Sequence, residues 1–155
     1  MLDLNSIEYL QTVEGLEALY VDAAPASLRK VVDRITPKYW QWISASRFCV
    51  LTTVGSAGTD GSPRGDDGPP VIALDEYTLA MPDWRGNNRL DSLRNIVEDG
   101  RVSLLILIGW ENFAVRVNGI ARLSADDKLR ALFEKDGHIP NTVIVIKVVE
   151  IYSQC

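Results

Sequence analysis

The stretch NFAVRVNGIARLS, residues 112–124, sets Phe113, Val115 and Val117 on one side and Ala114, Arg116 and Asn118 on the other. That period of two belongs to a strand with one buried face. It is the clearest member of a series. RFCVLTTV (47–54), PVIAL (70–74), YTLAMP (77–82), RVSLLILIGW (101–110) and NTVIVIKVVEIYS (141–153) are short apolar runs bounded by Gly, Pro or polar residues, each a strand candidate. GSAGTDG closes the first in the manner of a hairpin. Single helices interrupt the series. NRLDSLRNIVED spans 88–99, and SADDKLRALFEKDG spans 124–137 with Ser124 as N-cap and Gly137 as its stop. No βαβαβ rhythm occurs. Six or so strands in antiparallel-looking neighbours predict a mainly β (α+β) fold, a small β-barrel with helices packed outside.

The chain before residue 47 has a helical texture, predicting an organisation of 1–46 as a helical N-terminal extension and 47–155 as the barrel. SIEYLQTVEGLEALYV (6–21) carries apolar residues at helical spacing, weakened at Gly15. APASLRKVVDRI (24–35) is a second helix candidate. TPKYWQWISAS (36–46) opens with Thr36 as N-cap and Pro37 at the first helical position. Trp40 and Ile43 share one face there, with Tyr39 close, and packing explains them better than a cofactor role.

A chain of 155 residues buries a core without metal or disulfide staples. Its net charge of -5 argues against a general nucleic-acid or anionic-membrane binder. No apolar stretch reaches membrane-spanning length, and MLDLNSIEYL lacks a basic lead before an apolar core, so a cytoplasmic protein is expected. Cys49 and Cys155 match no zinc or redox spacing, and the lone His138, in KDGHIPN, is expected on a surface loop. Metal catalysis is not supported.

Two polar stretches remain. In PDWRGNNRLDSLRNI (82–96), Leu90, Leu93, Ile96 and Val97 form an apolar stripe, preceded by Gly86, Asn87, Asn88 and Arg89. Helix starts bind anions through free N–H groups and the dipole. An arginine in the first turn opposes that dipole, which makes sense if an anion arrives. The alternative is that Asn88 caps the helix while Arg89 pairs with Asp83 or Asp91. SPRGDDGPP (62–70) reads as a loop holding Arg64. Arg85 and Arg116 complete the set of candidate cations, and Trp84 and Trp110 are candidate walls for a planar ligand, or ordinary packing. The tripeptide Arg64-Gly65-Asp66 spells an adhesion motif, but three-residue matches arise by chance.

In order, FCVLTTVGSAGTDGSPRGDDGPP, LAMPDWRGNNRLDSLRNIVEDGRVSLLILI and VRVNGIARLS resemble the pyridoxamine 5'-phosphate oxidase-like flavoproteins, most closely the branch with SPRGD and GNNRLDSLRNI signatures. The resemblance runs from about Leu28 to the C-terminus. It implies a split β-barrel of the FMN-binding type, a homodimer with FMN in clefts at the interface, and a small-molecule substrate. It also implies roles. Arg89 with Asn88 and Asn87 would hold the FMN phosphate. Ser62, Pro63, Arg64, Gly65 and Asp66 would run along the isoalloxazine and ribityl chain, with Met81 and Pro82 on the adjacent strand. Arg64 would offer charge to the phosphate or the reduced flavin, and Arg116 would reach the same cleft or the other subunit. Asp67 would repel a phosphate unless turned outward. The expected activity is an FMN-dependent two-electron oxidoreductase; a non-catalytic flavin- or haem-binding protein for storage or sensing is the alternative.

Overall fold

Strands β1 (Phe48–Gly55) and β2 (Gly58–Gly65) form an antiparallel hairpin whose register runs from Gly55 opposite Gly58 to Phe48 opposite Gly65. The computed structural model describes residues 3–22, 30–86, 88–109 and 111–154. The expectations for Asn87, Trp110, Cys155 and residues 24–29 fall outside them. The hairpin corrects the reading of SPRGDDGPP as loop throughout, because residues 62–65 finish β2. Pro63 is tolerated there because β2 lies at the sheet edge, where a strand needs hydrogen bonds on one side only.

Five further strands follow: β3 (Ile72–Asp75), β4 (Thr78–Asp83), β5 (Arg101–Leu107), β6 (Ala114–Ser124) and β7 (Thr142–Gln154). They form one seven-stranded sheet in the order β2-β1-β5-β6-β7-β4-β3, antiparallel at every pairing. The sheet is not closed, since β2 and β3 remain its edges. Alternation is strict in the centre. Cys49, Leu51, Leu104, Ile106, Val115 and Val117 point inward and are buried, while their neighbours face outward. A bulge at Asn118/Gly119 shifts the β6–β7 register. Gly119 is required there, because a Cβ would be driven into the Lys147 carbonyl oxygen.

The N-terminal part is less helical than its spacing suggests. Between 6 and 21 only Val13–Glu17 (α1) is α-helical, capped by the Thr12 hydroxyl, which accepts from the Gly15 N–H at 3.1 Å. So short a helix is marginal unless tertiary packing supports it, and all of its large apolar side chains are exposed. Residues 30–35 are not helical either. Val32 exchanges backbone hydrogen bonds with Ile151 of β7 at 3.0 and 2.8 Å. Helix α2 (Pro37–Ala45) forms as its sequence indicates, with the Thr36 hydroxyl accepting from Tyr39 N–H. Tyr39 and Ile43 enter the core, and Trp42 stacks edge-on against Tyr39 and Phe113.

Helix α3 (Asp91–Glu98) starts three residues later than the spacing predicts. Asn88 sits in the left-handed region at φ 58° and no side chain caps the helix, so the Asn88 cap is not formed. Leu93 and Ile96 pack on the core, whereas Val97 is exposed and leaves the predicted stripe. Polar contacts lock α3 to the hairpin: Ser92 donates to Asp60, Asn95 to Thr53, and Ser56 to Glu98. Helix α4 (Asp127–Ala131) is capped by Asp126 rather than Ser124, and ends well before Gly137. No described helix is long and apolar enough to cross a membrane.

Candidate functional site

The hairpin register determines where Arg64 goes. It lies opposite Cys49, whose side chain is fully buried, so both point to the inner face. Arg64 Nη1 donates to Asp83 Oδ1 at 2.7 Å, with the two side chains 20% and 16% exposed. Asp83 is the last residue of β4. Four strands separate β2 from β4 in the sheet order, so this ion pair spans the open side of the curled sheet.

Two adjoining hollows lie beside it. One, of about 210 Å³, is lined by Ser62, Pro63, Arg64, Asp83, Trp84, Gly86, Asn88, Arg89, Leu90 and Asn141. The other, of about 240 Å³, shares Pro63, Arg64, Trp84 and Gly86 and adds Gly65, Asp66, Met81, Pro82 and Arg85. Strand β2, the end of β4 and the approach to α3 thus bring Ser62, Pro63, Arg64, Gly65, Asp66, Met81, Pro82, Asn88 and Arg89 together. Arg89 precedes the helix instead of standing in its first turn. It pairs with Asp91 at 2.8 Å, one of the two partners its sequence context offers. The first turn of α3 holds Asp91, an acid where the dipole favours one.

Arg116 stands apart. It lies on the outer face of β6, donates to Gln154 at 3.0 Å and stacks over Tyr152. Three strand spacings separate β6 from β2, roughly 14 Å, and Arg64 is on the opposite face. Gly65 also has a packing reason, since a Cβ there would meet the Phe48 ring at 3.2 Å and the Arg47 carbonyl at 3.3 Å.

Arg64, Asp66 and Asp83 around the hollows are ion-paired, whereas the Arg85 side chain makes no hydrogen bond or ion pair among the described residues. Lys135 Nζ donates to Asp66 at 2.8 Å, which holds the Asp66 carboxyl below its usual range and raises the lysine. Asp67 is turned outward, its side chain almost wholly exposed. Burial pushes the Cys49 thiol up to about 12, with Arg64 opposing weakly. Among the described residues no cluster of His, Cys, Asp and Glu could hold a metal ion.

The polar accounting is informative. Among the described residues, the buried side-chain polar atoms without a hydrogen-bond partner are Arg64 Nε, Trp84 Nε1 and Thr142 Oγ1. All three surround Asp83: Arg64 pairs with it, Trp84 follows it, and Thr142 is its register partner on β7. Buried polar groups are almost always satisfied, and two of these three atoms, on Arg64 and Trp84, belong to residues that line both hollows. The donors and the planar Trp84 wall fit an anionic, aromatic group such as a flavin nucleotide. Asn141, Lys135 and His138 also reach this region. Sequence reasoning missed them as site residues because the start of β7 and the Lys135–Asp66 ion pair carry them there, and no local pattern signals either.

The sequence profile of the pyridoxamine 5'-phosphate oxidase family matches residues 35–155. The chain belongs to that family. No curated protein matched. Solved structures similar in fold include a variant of HupZ from Group A Streptococcus, with TM-score 0.62 and 17% identity, covering 77% of this chain and 99% of that one. An FMN-binding protein from Syntrophomonas wolfei subsp. wolfei gives TM-score 0.54 and 16% identity over 92% of each chain. An F420 reductase gives TM-score 0.54 and 15% identity, covering 75% and 97% respectively. The open seven-stranded sheet with its flanking helices is therefore the split barrel expected from the sequence.

Proposed function

We propose that this chain is an FMN-dependent oxidoreductase, a cytoplasmic homodimer that moves two electrons between bound FMN and a small organic substrate. The observation that carries the reading is the clustering of unpartnered buried polar atoms around Asp83, beside hollows lined by Arg64, Asn88 and Arg89. The family and the FMN-binding structural neighbour support it. FMN supplies hydride chemistry at its ring, and the protein positions and tunes it. Arg89, with Asn88 and Asn87, would hold the phosphate. Arg64 would present charge while Asp83 fixes its guanidinium. Ser62, Pro63, Gly65 and Asp66 would follow the ring and ribityl chain, and Met81, Pro82 and Trp84 would wall the planar part. Asp66 and Asp83 are each held by a cation, so both act as positioning groups. Arg116, out of reach in its own copy, would serve the cleft of the second subunit.

The test is the visible spectrum of the purified protein after FMN is added and the excess removed. Retained oxidised-flavin absorption at one per chain is expected, and a colourless protein overturns the reading. Coenzyme F420, carried in the name of one structural neighbour, is the competitor to titrate in parallel. Arg89→Ala should weaken FMN binding about 10- to 100-fold, the effect of one lost charge-assisted hydrogen bond; unchanged affinity would remove the phosphate assignment.

A further inference from the structure

Residues 3–22 form an arm that the body of the chain leaves uncovered. Leu4, Tyr9, Leu10, Val13, Leu16, Leu19, Tyr20 and Val21 are all exposed, Val21 to 94%. The hydrogen bonds made by Asp3, Ser6, Thr12 and Gly15 stay within the arm. A one-turn helix with every large apolar side chain in water is not self-supporting, and an apolar patch of this extent marks a contact surface. The arm precedes the family-matched region, which starts at residue 35.

Its charge is as one-sided as its exposure. Asp3, Glu8, Glu14, Glu17 and Asp22 are its only charged side chains. Removing those five from the 21 acidic residues leaves sixteen, equal to the 16 lysines and arginines of the remainder. The whole net charge of -5 therefore resides in the arm.

The complementary surface lies on the outer face of the sheet. An apolar groove of about 380 Å³ runs over Thr52, Val54, Ile120 and Val149; its lining holds no acidic residue, and its one cation, Arg101, is already paired with Asp99 at 2.7 Å. Ile120 and Val149 are 44% and 57% exposed. Lys147 faces outward beside Ile120, its register partner across the strand being Ile120 itself. Val149 also borders a second hollow whose lining carries both signs, Arg34 together with Asp33 and Glu150. The arm does not cover the groove of its own copy, since both are exposed in one chain.

We propose that the acidic, apolar arm of one copy packs into the outer-face groove of a second copy, reciprocally, so that two arms close a two-fold dimer. A two-fold contact requires that the same pair of surfaces meet twice; Ile120 and Val149 would take the arm's apolar side chains, and the outward Lys147 its carboxylates. The inference rests on the homodimer reading above and names what holds that dimer.

The test is the dimer dissociation constant by sedimentation, on full-length chains. Leu10→Ser/Leu16→Ser/Leu19→Ser alters exposed side chains only, and Ile120→Glu alters the groove. Each is expected to weaken the dimer at least about tenfold. The combination should be little weaker than the worse of the two, because both remove one contact. A wild-type dimer that Ile120→Glu dissociates but the arm variant does not would overturn the arm proposal and leave the dimer standing. A wild-type chain that stays monomeric at about 100-fold the assay concentration would overturn both. Flavin absorption of each variant, read in the same runs, reports the cleft independently.

Discussion

Replacing Asp83 by asparagine removes one charge from the contact that ties β2 to β4 while keeping the side chain's shape. An exposed ion pair contributes ~0–1 kcal/mol, and losing one partner of a fully buried pair costs ~3–5 kcal/mol. Arg64 and Asp83 are 20% and 16% exposed and 2.7 Å apart, between those limits but nearer the buried one. The amide oxygen introduced by Asp83→Asn can still accept a hydrogen bond, which recovers part of the loss. The expected destabilisation is about 2 kcal/mol, or a Tm lower by about 4–8 °C for a chain of this size. FMN affinity should fall as well, because Asp83 fixes the guanidinium that Arg64 would present to the ligand. Thermal melts and a flavin titration read the two effects separately. A cycle with Arg64→Gln isolates the pair, and a coupling of roughly 1–2 kcal/mol is expected for groups in direct contact. Coupling near zero would refute the idea that this pair holds the edge strand. Unchanged FMN affinity in Asp83→Asn would refute its assignment as a positioning group.

Three other outcomes are expected. In a Cys155→Ser background, the Cys49 thiol should be inert to a disulfide reagent at about pH 8, just under the ordinary thiol value, and react on unfolding, because burial raises it to about 12. The sign follows: the unfolded thiol ionises near its ordinary value of about 8.5 and the folded one does not, so stability held below that value is lost as pH rises toward 12. Gly119→Ala should lower stability by about 1–3 kcal/mol, the overpacking range, since its Cβ would collide with the Lys147 carbonyl; an unchanged melting curve would mean that the bulge relaxes freely. Saturation with FMN at about 100 times its Kd should stabilise the wild type by about 2.7 kcal/mol, and a flat Tm with ligand would show that the native cleft does not bind it.

Much of the fold was legible because the signals are local. The alternation in β6 and the Thr36-Pro37 start of α2 need only their own neighbours, and both form as the pattern dictates. The failures are the segments whose state depends on distant partners. Residues 6–21 have helical spacing but nothing to pack on within one chain, so only five residues keep it. Val32 has helix-compatible neighbours, yet Ile151 offers it backbone hydrogen bonds from the far end of the chain. Composition misled in SPRG, where two turn formers hid a strand that an edge position permits. Asn88 and Ser124 had the chemistry of caps, but α3 begins at Asp91, and Asp126 takes the cap of α4.

That edge strand also answers why a cation stands in a stretch so rich in Gly and Pro. As a loop residue Arg64 would have faced solvent; as a strand residue opposite Cys49 it is turned inward, onto the end of β4. Only one side of β2 is hydrogen-bonded, so proline and glycine leave the strand thin at the place where the sheet opens. The opening then needs something to span it, and Arg64 with Asp83 does so while leaving Nε unpartnered beside Trp84 and Thr142. The same loss of sheet closure that exposes this edge therefore creates the cleft, its charge and its unsatisfied donors together. Arg64, Trp84, Asn88 and Arg89, which the structure brings to the hollows, carry local signals of charge, neighbouring glycine or a strand end. Asn141 lines the same hollow, and what brings it there is the curl of the sheet and not any pattern along the chain.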